Sequence, residues 1–318
     1  MVFWLLIIWL VGELNGIVID KANNRYYILE DCIKEADADY DVQIYGSCHA
    51  YTSFDPVYFG ERYAVSSYVF ANPGEIIPTT YLRMLERFKV DAPKVAVIDI
   101  WGLNAYETYS TYDRIFNLYM PVNVELLPLS VEKIKVIRDF ESLDLLADNF
   151  PIAKYKDRLL NMELRQVDFA YSFADNLEQS DTYKKEMTLR RKNGGFAAYT
   201  SVRNLADYDE KQAKVADADK LAFEEEMMKY VDKIVDLCSR YGVKLIFYRA
   251  PYISTENELR KVNWFADYCV EKEILFVDTE KEVAFDHSVD FMDYYHLNAT
   301  GARRVTEHLA PYILEKMR

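Results

Sequence analysis

Residues 94–102 read KVAVIDIWG, and this almost uninterrupted apolar run is the strongest strand signal in the chain. A strand that is apolar on both faces is typical of a parallel sheet covered by helices on each side. Four further runs have a similar character, namely DVQIYG (41–46), SSYVFANPG (66–74), KLIFYRAPY (244–252) and ILFVDT (274–279). The sequence therefore predicts a sheet of five strands.

Segments with helical spacing of apolar residues lie between these strands. The clearest are PTTYLRMLERF (78–88), FEEEMMKYVDKIVDLCSRYG (223–242) and TGARRVTEHLAPYILEKM (300–317). Strands that alternate with amphipathic helices indicate βαβ units. We predict an α/β fold in three layers, α/β/α, with a mostly parallel five-stranded sheet. Ligands of such sheets bind at the carboxyl ends of the strands.

Residues 105–220 do not follow this alternation. They are rich in tyrosine and charge and mostly helical in pattern, with VEKIKVIRDFESLDLLADNF (131–150) as the clearest helix. We interpret them as a helical insertion between strands 3 and 4 of a single domain, 41–318. Residues 13–40 are predicted to form a stalk.

The amino terminus, MVFWLLIIWLV, is wholly apolar over residues 1–11. It is shorter than the ~18–20 residues that span a bilayer. It is interpreted as the remnant of a signal or anchor (1–12), a short membrane anchor, or a buried helix. The first two are favoured, which predicts an extracytoplasmic protein, secreted or associated with a membrane through this terminus.

The chain of 318 residues has 38 Lys and Arg against 52 Asp and Glu, a net charge of −14. This acidity argues against a nucleic-acid partner, because binding to phosphates needs a basic surplus. One dense basic cluster could face an anionic polymer or lipid headgroups, although a solvated helix face is the favoured reading: Lys184, Lys185, Arg190, Arg191 and Lys192.

The four cysteines, Cys32, Cys48, Cys238 and Cys269, contain no CxxC pair and no Cys/His spacing typical of zinc. Free thiols are favoured over disulfides, and no metal or organic cofactor is predicted. Asp99 and Asp278, in or at the ends of apolar strands, are predicted to make structural polar contacts.

Two motifs carry candidate catalytic groups. In Gly46-Ser47-Cys48-His49 a serine follows a buried strand, where a nucleophile can be presented, although a helix N-cap is the commoner use of such a serine. In Asp293-Tyr-Tyr-His296 a carboxylate three residues before a histidine can orient the imidazole as a base.

Two further strand ends carry groups suited to an oxyanion hole. Asn72-Pro73-Gly74 offers the backbone N–H of Gly74, and Gly102-Leu103-Asn104 offers a side-chain amide. Ordinary turn chemistry accounts for each of them alone. The ordered set of Ser, Gly, Asn and Asp-x-x-His favours catalysis.

This order resembles the SGNH (GDSL-type) hydrolase superfamily. The segments YDVQIYGSCHAYTSFDP, NPGEIIPTTY, IDIWGLNAY and DYYHLNATGARRVT are similar to its cell-surface branch of DltD-like and envelope O-acylation proteins. The resemblance spans residues 41–104 and 240–312. It implies an SGNH/flavodoxin-like fold.

The resemblance implies that Ser47 is the nucleophile, His296 the base and Asp293 its orienting group. Gly74, Asn104 and the backbone N–H of Ser47 would form the oxyanion hole. Cys48 stands where a small residue is usual, and Asn72 is only two residues before Gly74. Cys48 is intrinsically the stronger nucleophile. It is disfavoured because its neighbour His49 is adjacent in sequence, and adjacent side chains rarely face one another.

The predicted activity is that of a serine esterase or O-acyltransferase acting on acyl esters of a cell-envelope polysaccharide or glycoconjugate. The substrate would be an acylated carbohydrate or small ester, and a membrane acyltransferase is a possible partner. The alternative is a non-catalytic accessory protein that keeps the fold and binds an envelope polymer or that acyltransferase.

Overall fold

The computed structural model describes residues 6, 10, 39–103, 123–124, 127–128, 130–140, 189–213 and 225–318. Five strands form one sheet in the order β2-β1-β3-β4-β5, and every neighbouring pair is parallel. Each lies within a predicted run: β1 (Val42–Gly46), β2 (Ser67–Ala71), β3 (Val95–Asp99), β4 (Lys244–Arg249) and β5 (Leu275–Asp278). The predicted three-layer α/β fold is confirmed.

Helices cover both faces of the sheet. They are α1 (Cys48–Ser53), α2 (Pro56–Tyr63), α3 (Ile77–Arg87), α4 (Val131–Phe140), α5 (Tyr208–Lys211), α6 (Glu225–Tyr241), α7 (Glu256–Glu271), α8 (Thr279–Glu282) and α9 (Ala299–Lys316). A short 3₁₀ turn, Ile100–Leu103, follows β3 directly. The three helices predicted in outline correspond to α3, α6 and α9.

Two apolar layers hold the helices on the sheet. Successive residues of a strand point to opposite faces, so Tyr45 packs with α3, α6 and α7, whereas Ile44 packs with α1, α2 and α9. β1, β2 and β3 are buried along their whole length. Each large apolar side chain buried in this way stabilises the fold by roughly 1.5–3 kcal/mol.

The start of α9 fixes the loop that precedes it. Asn298 is the N-cap, and its side-chain oxygen accepts hydrogen bonds from the N–H groups of Thr300 (2.9 Å) and Gly301 (3.2 Å). A β-bridge joins Phe291 to Leu297 at the base of this loop. Both ends of the segment that contains His296 are therefore held by the core.

Only part of the predicted insertion is described, and it contains α4 and α5. The predicted helix 131–150 is observed as Val131–Phe140, and its remainder lies outside the described residues. Residues 13–38 and almost all of residues 1–12 also lie outside them. The anchor, the stalk and the single insertion stay predictions. In the ranges that the structure describes, no helix is long and apolar enough to cross a membrane.

The predicted basic cluster is not one solvated face. Lys184 and Lys185 lie outside the described residues, but Arg190 is buried. Its guanidinium donates to the carbonyl oxygens of Gly195 (3.1 Å) and Ala71 (3.0 Å) and stacks 3.8 Å from the ring of Tyr51. Arg190 therefore ties the end of the insertion to the carboxyl end of β2.

The turn after β1 requires glycine at position 46. Gly46 has φ +140°, and a Cβ there would lie 2.9 Å from Cβ of Asp99 and 3.1 Å from Cβ of Ala50. Gly46→Ala should lower the free energy of unfolding by about 2–4 kcal/mol, from backbone strain and overpacking. Urea unfolding measures this. Gly242→Ala is the control, since Gly242 has φ +68° in open space and should cost only about 1 kcal/mol. Equal losses of unfolding free energy in Gly46→Ala and Gly242→Ala would contradict the argument that close packing at Gly46 excludes a side chain.

Candidate functional site

The strand order places a crevice between β1 and β3. The chain runs from β1 outward to β2 and then returns across β1 to β3, so the connections leave β1 and β3 in opposite directions. Sheets of this kind bind ligands at such a switch point, at the carboxyl ends of the strands. The Ser47-Cys48-His49 segment follows β1, and Asp99 ends β3. The predicted site therefore lies where the topology favours one.

Ser47 caps helix α1. Its hydroxyl oxygen accepts a hydrogen bond from the backbone N–H of His49 (3.3 Å) and lies 3.1 Å from Nδ1 of the His49 ring. The hydroxyl also donates to Oδ2 of Asp99 at 3.5 Å. Ser47 is fully buried, and within the described chain it forms no hydrogen bond with His296. The structure thus gives Ser47 the capping role that was weighed against catalysis.

Asp99 joins three strand ends. Its carboxylate accepts the Ser47 hydroxyl after β1 and the backbone N–H of Ala250 after β4, the latter at 3.2 Å. Burial raises the pKa of Asp99 to about 7, against the opposing effect of hydrogen bonds from the N–H groups of Ala250 and Trp101. This agrees with the prediction that Asp99 makes a structural contact, and the same is true of Asp278, which pairs with Arg249 at 3.3 Å.

The structure brings Asp293 and His296 together as predicted. Nδ1 of His296 lies 3.0 Å from each carboxylate oxygen of Asp293. Asp293 Oδ1 also accepts the backbone N–H groups of Tyr295 (2.7 Å) and His296 (2.9 Å). Burial would raise the pKa of Asp293, but the hydrogen bond to His296 and these N–H groups hold it below its usual range. The carboxylate fixes the orientation of the imidazole.

Cys48 lies close to His296. The Cys48 thiol is free and half-buried, and its sulfur lies 3.7 Å from Nδ1 of His49. Its sulfur and a ring nitrogen of His296 lie within 4.8 Å of each other. Because Asp293 occupies Nδ1, Nε2 is the nitrogen left for Cys48. Sequence reasoning missed this pair because it considered only His49 as a partner for Cys48.

His296 is held in its charged form. Burial is the largest single effect and lowers its pKa, but the hydrogen bonds and charges of Asp293 and Cys48 together raise it to about 10. An imidazole whose pKa is raised in this way favours the protonated form at neutral pH. An imidazolium is the partner that stabilises a thiolate and later supplies a proton.

His49 forms the inner wall of the site. Its ring stacks on Trp101 (centroids 4.7 Å apart), meets Tyr252 edge-on (5.1 Å) and lies 5.2 Å from the His296 ring. Burial and the charge of His296 lower the pKa of His49 well below 6.5. Its Nε2 is buried and has no hydrogen-bond partner in the described part of the chain. No signal in the sequence distinguished this histidine.

Of the two turns predicted to form an oxyanion hole, the turn with Gly74 lies within the described residues. The N–H of Asn72 donates to the carbonyl of Gly46 (3.2 Å), so the turn with Gly74 lies beside the start of α1. Among the described residues, the backbone N–H groups of Gly74 and Cys48 have no acceptor. Asn104 lies outside the described residues.

A buried ion pair supports the Gly74 turn from behind. The Arg83 guanidinium contacts both carboxylate oxygens of Glu75, with Nε at 3.1 and 3.0 Å. Burial raises the pKa of Glu75, against the opposing charge of Arg83. The turn after β3 packs on the same segment, since a Cβ on Gly102 would lie 3.0 Å from the carbonyl oxygen of Glu75. The two loops are therefore held in mutual contact.

No family model and no curated protein matches the chain. The resemblance to SGNH hydrolases stays a prediction. The geometry of the site stands independently of it.

The charge on His296 predicts a pH dependence of stability. Its pKa is raised from 6.5 to about 10 on folding, so the native state binds more protons in this interval. The stabilisation is complete below about pH 6.5 and is lost as the pH rises through about 10. Urea unfolding across this range should show a smaller pH-dependent loss for His296→Gln than for wild type. His308→Gln, on α9, should follow wild type; a wild-type profile in His296→Gln would refute the assignment.

Proposed function

We propose that the protein is an acyl-ester hydrolase or acyltransferase whose nucleophile is the thiolate of Cys48. One observation carries this proposal: Cys48 lies beside the His296 imidazole, whose other nitrogen is held by Asp293. Covalent acyl-transfer enzymes use the same arrangement, in which a nucleophile lies beside an imidazole and a carboxylate orients that imidazole. Ser47 takes part by capping α1 and holding Asp99.

The chemistry follows from the charge state of the pair. The thiolate of Cys48 attacks the ester carbonyl carbon, and the N–H groups of Cys48 and Gly74 stabilise the oxyanion. Collapse of this adduct breaks the bond to the alkoxide, which takes the proton from His296 and leaves a thioester on Cys48. Neutral His296 then accepts a proton from water or an acceptor hydroxyl. The resulting nucleophile releases the acyl group and regenerates the thiolate.

The substrate class rests on the resemblance. Acyl esters of cell-envelope carbohydrate are the proposed donors or acceptors, and a membrane acyltransferase is the proposed partner. An extracytoplasmic location belongs to the same proposal. No metal or cofactor takes part in these steps, since every proton and electron pair is supplied by Cys48, His296 and the substrate.

Labelling distinguishes the two adjacent nucleophiles. Short-chain aryl esters should acylate the native protein on Cys48, as seen by intact mass and by release of the acyl group with hydroxylamine. Acylation should disappear in Cys48→Ala and persist in Ser47→Ala, which should lose only about 1 kcal/mol of stability with its cap. Cys269→Ala, a buried thiol of the core, is the thiol control.

A different pattern would contradict the proposal. Fluorophosphonate labelling and ester hydrolysis that disappear in Ser47→Ala but survive in Cys48→Ala would return the role to Ser47. Absence of turnover and of acyl-enzyme in all variants would favour the accessory, polymer-binding role instead.

Cys48 and His296 should act as one unit. His296→Ala should lower kcat/KM for an aryl ester by about 10²–10⁴-fold, the range typical of acid–base groups. The double variant Cys48→Ala/His296→Ala should be no slower than Cys48→Ala, because neither group works without the other. His308→Ala is the matched histidine control. Multiplicative losses in the double variant would show that the two side chains act independently.

A further inference from the structure

Three metal-ligating side chains converge at the site. The sulfur of Cys48, a ring nitrogen of His49 and a ring nitrogen of His296 all lie within 4.8 Å of one another. Cys48 Sγ is already 3.7 Å from Nδ1 of His49. The ligands come from the first turn of α1 and the loop before α9, which are far apart in sequence. This explains why the spacing of cysteines and histidines along the chain gave no indication of a metal.

The distances and ligand types fit one class of cation. Bond lengths of 2.0–2.1 Å to nitrogen and 2.3 Å to sulfur separate tetrahedral Zn²⁺ ligands by about 3.4–3.7 Å. Ligand atoms up to 4.8 Å apart need to close by up to about 1.4 Å to reach this spacing. One thiolate and two imidazoles suit zinc and other soft divalent ions rather than Mg²⁺ or Ca²⁺. Three protein ligands leave a fourth position open to solvent or another ligand.

The surroundings of the cluster also fit a metal. Asp293 holds Nδ1 of His296, and a carboxylate on the second nitrogen of a histidine is the usual outer-shell partner in zinc sites. His49 is kept neutral by burial, and only a neutral imidazole binds a metal. Nδ1 of His49 lies 3.7 Å from Cys48 Sγ and 3.1 Å from the Ser47 hydroxyl, so a metal bound at this nitrogen would replace the hydroxyl as its partner.

We propose that Cys48, His49 and His296 bind Zn²⁺, and that the bound zinc blocks the nucleophile. Binding forms one Zn–S and two Zn–N bonds, any proton on these ligand atoms is released to solvent, and no oxidation state changes. Metal binding stands on the ligand geometry alone. The inhibitory consequence rests on the proposed function.

Cobalt tests the binding without reference to catalysis. The full chain is freed of metal with a chelator and titrated with Co²⁺, which substitutes for zinc and absorbs in the near ultraviolet when bound to thiolate. We expect one Co²⁺ per chain with this band and displacement by Zn²⁺. The band should vanish in Cys48→Ser and weaken at least tenfold in apparent affinity in His296→Gln and His49→Gln.

Controls separate this site from surface binding and from unfolding. His308→Gln and Cys269→Ala should keep the wild-type titration. Circular dichroism checks the fold of each variant; if His49→Gln unfolds, Cys48→Ser and His296→Gln decide the outcome. A band that is absent from wild type, or that survives in Cys48→Ser, overturns the proposal.

Inhibition is measured separately. Zn²⁺ should slow both ester turnover and alkylation of Cys48 by iodoacetamide at least tenfold, and a chelator should reverse both effects. Alkylation reports on the thiol even if the protein hydrolyses no ester. If zinc protects Cys48 from alkylation but the protein hydrolyses no ester, only the proposed function is refuted. If the protein hydrolyses esters, zinc does not slow the reaction and no cobalt band appears, only the metal site is refuted.

Discussion

The buried carboxylate of Asp99 is the constraint on which the site depends. It stands at the carboxyl end of the central strand, binds the Ser47 hydroxyl from β1 and the Ala250 N–H from β4, and packs against Gly46. A buried carboxylate without such donors is costly, so the loops on either side of β3 are drawn to it. Because Ser47 is turned toward Asp99, the next residue, Cys48, is presented to the crevice.

The two histidines of the site have different pKa values because their surroundings differ. Their rings lie 5.2 Å apart, yet the pKa of His296 is raised to about 10 and that of His49 is lowered well below 6.5. Asp293 and Cys48 raise the pKa of His296, whereas burial is the main cause that lowers the pKa of His49. The charge on His296 then opposes a second charge on its neighbour, which is buried against Trp101. Neighbouring groups whose pKa values are driven apart in this way are typical of functional sites.

The fold was predictable because burial on both faces of a parallel strand leaves a continuous apolar run. The loops of the site were predictable for a related reason, since parallel strands bring their carboxyl ends to one edge. The choice between Ser47 and Cys48 was not, because it depends on which way two adjacent side chains leave a turn with φ +140° at Gly46. The burial of Arg190 could not be predicted either, because its partners are the backbone carbonyls of Ala71 and Gly195, and backbone contacts produce no pattern in the sequence.

Charge balance favours a divalent metal at this cluster. In the proposed mechanism the site holds the Cys48 thiolate, the Asp293 carboxylate and a protonated His296, which sum to a net charge of −1. Replacing that proton with Zn²⁺ brings the sum to zero, in a partly buried setting where uncompensated charge is disfavoured. The carboxylate that keeps His296 protonated is also the group that strengthens it as a metal ligand, because both effects come from increased electron density on the imidazole. A hydroxyl in place of the thiol would hold neither the proton nor the metal as firmly, which gives the cysteine a role that serine does not share.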